Sequence, residues 1–87
     1  MATNDDLIRA LQIAAEHLLG RNLTTQELSA LLDRFNKTPG RPVEKALGAL
    51  EGLGGRTSRE LAKTASDNSD RIINDLIQVA NSWNPKP

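Results

Sequence analysis

Few side chains in this sequence have the reach for covalent chemistry: there is one histidine, His17, and neither cysteine nor tyrosine. Hydrolysis or group transfer needs a nucleophile beside a base, two carboxylates in a cleft, or a metal with an open position. His17 adjoins Glu16 on the polar side of an expected helix, where a solvated surface role suits it. The run Asp67-Asn68-Ser69-Asp70 offers oxygen donors but lacks the glycine and distal glutamate of a calcium loop, so helix capping is its expected role. Gly52-Leu53-Gly54-Gly55 follows no strand and precedes no Gly-Lys-Ser/Thr, so it reads as a helix terminator and not as a phosphate cradle. The chain therefore reads as non-catalytic, with no cofactor and no metal.

The chemistry left to such a chain is binding, and its charges are unevenly placed. Residues 1–33 carry two cations against five carboxylates, residues 34–63 seven against three, and residues 64–87 two against three, so the total is zero. The central cations are Arg34, Lys37, Arg41, Lys45, Arg56, Arg59 and Lys63. They gather around one loop and the starts of two expected helices, where the helix dipole also favours phosphate. Double-stranded DNA is the leading expectation for a partner, with these seven residues as the contact set.

Two local patterns point the same way. The stretch Glu60-Leu61-Ala62-Lys63 through Ile72-Ile73-Asn74-Asp75-Leu76 resembles a helix-turn-helix unit in spacing, with a small residue at the turn and apolar residues at Ile72 and Leu76. It departs from that unit in carrying Asp67 where an apolar turn residue is usual, and in placing Asp70 and Asp75 on the helix that would face DNA. A looser echo links Thr24–Ser29 with Pro42–Leu47 across a longer turn. Pro39-Gly40-Arg41-Pro42 is similar to the Gly-Arg-Pro core of AT-hook minor-groove binders, without their flanking basic pairs. As a plain interhelical turn the same four residues need no ligand.

The elements that must position these residues are helices. With one Phe, one Trp and two Val, the 87 residues lack the β-branched and aromatic alternation of strands, whereas apolar residues recur at helical spacing throughout. The expected fold is all-α, a small bundle of four or five helices in a single domain over 1–83, followed by a flexible tail at 84–87. No apolar run is long enough to span a bilayer and the first residues are acidic, so no membrane partner and a cytoplasmic location are expected.

Thr3 or Asn4 should cap the first helix and Gly20 should stop it. Thr24 with Glu27 and Thr57 with Glu60 have the capping-box spacing, and Pro42 suits a first helical turn. Residues 36–42 read as loop. Beyond residue 58 two structures compete: one helix to residue 83, or a break in the polar insert Ser66–Arg71 with Asn68 or Ser69 as the new cap. The unbroken helix is slightly favoured, because Leu61 and Ile72 lie eleven residues apart and eleven steps nearly close three turns.

Two apolar residues suggest a rival function. Ile13 falls opposite the Leu7/Leu11/Ala14/Leu18 stripe of the first helix, and Trp83 lies near the tail. They are the candidate anchors of a protein-interaction module, such as an adaptor, an inhibitor or an antitoxin-like regulator, while Trp83 also fits a role capping the core. A chain this short gains stability from association, which makes a homodimer a natural form for either function.

Overall fold

The computed structural model describes residues 2–83, and the tail expected at 84–87 lies outside them. Among the described residues five α-helices follow one another: α1 (Asn4–Leu19), α2 (Thr25–Lys37), α3 (Pro42–Leu50), α4 (Ser58–Ser66) and α5 (Arg71–Ser82), with a 3₁₀ turn at Leu53–Gly55. The fold is all-α, as the composition requires.

Each helix starts where its sequence provides a cap. Thr3, Thr24 and Thr57 accept from the backbone N–H three residues on, at 3.1–3.2 Å. Asp6, Glu27 and Glu60 return the bond to the threonine N–H at 3.0–3.2 Å. The box at Thr3 and Asp6 adds to the two expected from spacing. α3 has Pro42 at its first position, and Glu44 Oε1 accepts from the Arg41 N–H at 3.0 Å. Asn36 and Lys37 prove helical, so the loop before α3 is shorter than expected.

The insert at 66–70 breaks the chain into α4 and α5, against the expected long helix. Ser69 turns back, its N–H and Oγ both donating to the Thr64 carbonyl at 3.2 Å. Asn68 takes a left-handed φ of 55°, a conformation that asparagine tolerates better than most residues. The new cap is Asp70, whose Oδ1 accepts from the N–H groups of Ile72 (3.0 Å) and Ile73 (3.3 Å). Preserved apolar phase did not distinguish the two outcomes, because Leu61 and Ile73 enter the same core from two helices.

That break lets α5 fold back and pack on α1, α3 and α4. α1 and α5 run antiparallel. The Ala2 N–H donates to the Ser82 carbonyl at 3.1 Å at one end, and His17 Nε2 lies 2.8 Å from Asp70 Oδ2 at the other. The core between the helices is aliphatic, with Leu11, Leu50, Leu61, Ile73 and Leu76 fully enclosed and no buried polar side chain among the described residues. Ala49 joins it from α3, while Ala62 on α4 is exposed.

One glycine permits a close approach that fixes the geometry. Gly54, at φ 61°, sits so near the end of α1 that a Cβ would lie 2.6 Å from the Leu18 carbonyl oxygen. The 3₁₀ turn can seat on α1 because that atom is missing.

Candidate docking groove and the basic surface

The seven central cations do not form one free surface. Arg34 Nη2 donates to the Glu51 carbonyl at 2.7 Å and the Gly48 carbonyl at 3.3 Å, closing the end of α3. Lys45 Nζ donates to the Thr38 carbonyl at 2.7 Å, bracing the α2–α3 turn. Lys37 pairs with Asp33 at 2.9 Å, one helical turn away. Four residues keep exposed side chains without a polar partner among the described residues: Arg41 in the α2–α3 turn, Arg56 just before α4, Arg59 in its first turn and Lys63 in its last.

The helix starts are also occupied from within. At α1, α2, α3 and α4 the N-cap N–H already meets a carboxylate, that of Asp6, Glu27, Glu44 and Glu60 in turn. At α4 the Ser58 N–H donates in addition to Glu51 Oε2 at 3.3 Å. Pro39-Gly40-Arg41-Pro42 forms the tight turn into α3, with Gly40 at φ 108° against the Glu44 side chain, so a carboxylate stands where the hook-like reading needs an anion to bind. Nor does α5 stand clear as a groove-reading helix, since α1 covers one side along its length and Asp75 lies on its exposed part.

Two other residues make long-range contacts, of which only the one at His17 was not foreseen from the sequence. His17, expected in solvent, joins α1 to α5 through Asp70 across 53 residues of chain. Partial burial pushes the Asp70 carboxyl up, but the bond to His17 and those from the Ile73 and Ile72 amides outweigh it and hold it below the usual carboxylate value. Trp83 packs edge-on against Phe35, with ring centroids 5.5 Å apart at 73°, and donates from Nε1 to Asn4 Oδ1 at 2.7 Å. It packs, partly buried, against the core, in keeping with the core-capping reading of its position.

Ile13 is placed quite differently. It is 47% exposed, the one large apolar side chain so exposed among the described residues. It stands at the mouth of a groove of about 590 Å³ between α1 and α5. One wall is Asp6, Arg9, Ala10 and Ile13, the other Ile72, Asp75, Leu76 and Val79. Both sets repeat at i, i+3, i+4, i+7, the spacing of a helix stripe that faces something. α1 thus has two stripes, one buried in the core and one facing outward beside α5.

Of the groove's charged members, Asp6 is engaged in the cap of α1, whereas Arg9 and Asp75 are spare. Asp6 is held below its usual value chiefly by the Thr3 backbone bond, with the Thr3 hydroxyl adding to it. Arg9 and Asp75 form no ion pair among the described residues, although they flank the same apolar strip. Of the groove, sequence reasoning found only Ile13. The signal for Arg9 was its position one turn before Ile13; Asp75 joins them only through the antiparallel packing of α5. No group of three or more His, Asp or Glu side chains is arranged to hold a metal, and no helix is long and apolar enough to cross a membrane, among the described residues. Comparison with protein-family models, with curated proteins and with solved structures found no match to this chain.

Proposed function

We propose that this chain is a helical protein-interaction module that docks a protein through the groove between α1 and α5. The observation that carries the reading is Ile13, half-exposed above an apolar strip and the one large apolar side chain so exposed among the described residues. Leaving such a side chain in water forgoes about 1 kcal/mol of burial, and a groove with an apolar floor and a charged rim is how helical surfaces receive a partner. The non-catalytic roles that fit are adaptor, inhibitor or antitoxin-like regulator.

The test is a photoreactive benzoylphenylalanine placed in turn at residues 13 and 78 in the groove, and at residues 26 and 59 on α2 and α4, in cells that express the chain. Protein adducts from 13 and 78, with little from 26 and 59, support the reading. Adducts only from the control positions, or from none of the four, overturn it.

DNA binding is a second reading, favoured by one observation: Arg56 just before α4, Arg59 in its first turn and Lys63 in its last are exposed and without carboxylate partners among the described residues. A patch of three cations neutralises about three phosphates, which supports non-specific contact with duplex DNA but offers few contacts to base edges.

A further inference from the structure

We infer that the protein received by the groove is a second copy of this chain, in a two-fold dimer with the α1/α5 faces packed together. This rests on the docking reading and names its occupant.

The argument begins from the register of α1 against α5. Ala2 is level with Ser82 and Trp83, and His17 is level with Asp70, so residues at equal height along the pair have numbers that sum to 84–87. A two-fold axis running along the groove lays α1 of each copy over α5 of the other at unchanged height. Ile13 then comes to rest over Ile72 of the second copy, and Arg9 within about one helical turn of Asp75 of the second copy, inside the reach of an arginine side chain. Each contact occurs twice, as a two-fold interface requires.

The pattern of the face fits this occupant in particular. Its rim carries an unpaired cation on one helix and an unpaired carboxylate on the other, with Ile13, Ile72 and Val79 between them. A uniformly acidic or basic segment would leave one of these charges facing its like, whereas a rotated copy of the same face satisfies both. Area is also sufficient. α1 has 16 residues, giving about 24 Å of length, and two adjacent helices present about 20 Å of width. Such a face buries on the order of 1,000 Å² over both copies, at the low end for a specific interface, so the dimer is expected to be of micromolar strength.

The test is sedimentation equilibrium of the intact chain from low micromolar to millimolar concentration, with circular dichroism confirming that each variant folds. The wild type should pass from 9.5 kDa to twice that mass. Arg9→Asp and Asp75→Arg should each dissociate roughly tenfold more readily, because each sets like charges against one another twice. Mixed together, the two variants should form a heterodimer, since every pair across that interface is again of opposite sign. Ile13→Asp should remain monomeric.

A wild type that stays at 9.5 kDa throughout overturns the second copy, as does a dimer indifferent to all three substitutions. A monomeric wild type whose photoadducts at residue 13 contain a different protein overturns this inference alone. The absence of groove adducts to any protein removes the docking reading with it.

Discussion

Replacing Asp70 with alanine tests how the α4–α5 break is held. The Asp70 carboxylate caps α5 through two backbone N–H groups and bonds His17 on α1, so Asp70→Ala removes both functions. Loss of an N-cap costs about 1 kcal/mol. The histidine bond adds at most about 0.5 kcal/mol, discounted because the His17 side chain is 39% exposed. The sum of about 1.5 kcal/mol corresponds to a fall in Tm of roughly 6–12 °C for a domain of this size. Asparagine also caps well, so Asp70→Asn should lose only about 0.5 kcal/mol, the share due to charge.

Urea unfolding followed by helical circular dichroism, at a concentration too low for association, measures these differences. Because the folded-state value of Asp70 is depressed, its contribution is complete above the ordinary carboxylate value of 3.8 and is lost as pH falls through the lower folded value. The gap between wild type and Asp70→Ala should therefore narrow in strong acid. If Asp70→Ala lies within about 0.3 kcal/mol of wild type at neutral pH, or Asp70→Asn is as damaging as alanine, the capping argument is wrong.

Further expectations concern other parts of the molecule. Gly54→Ala should destabilise by about 1–3 kcal/mol in the same assay, since it combines a positive φ with a Cβ placed 2.6 Å from the Leu18 carbonyl oxygen. Glu27 is held to about 2, chiefly by its bond to Arg21 and then by the Thr24 amide, so its stabilisation is present above the usual 4.5 and fades as pH falls toward 2. Glu27→Gln should accordingly flatten the acid limb of a stability–pH profile over that window. Binding to duplex DNA, followed by fluorescence anisotropy, should show a log–log salt slope no steeper than about −4, the value for the four free central cations, against about −6 for seven engaged cations. The steeper value would restore the extended basic surface.

What the sequence disclosed and what it withheld divide along the range of the interaction. The boxes at Thr24/Glu27 and Thr57/Glu60 were legible because both partners lie within one turn, and so was the stop at Gly20. The outward Ile13 was legible because it falls out of phase with the leucine stripe of its own helix. The break before Asp70 was not, since the apolar phase reads alike for one helix or two. The fate of the cations was not legible either: Arg34 meets Glu51 across 17 residues, and Lys45 meets Thr38 across 7. A count of charges cannot separate a lysine that braces a turn from one that faces solvent. The second wall of the groove, with Asp75 and Val79, comes into being only when α5 lies antiparallel to α1.

The docking claim meets its most direct test in hydroxyl-radical footprinting of the chain inside its cells, compared with the purified chain diluted to its monomer. Occupation of the groove predicts that oxidation of Ile13 and Val79 falls in the cell while that of Leu28 on α2 is unchanged. Equal oxidation of Ile13 in both settings, or protection appearing on α4 instead, would contradict it.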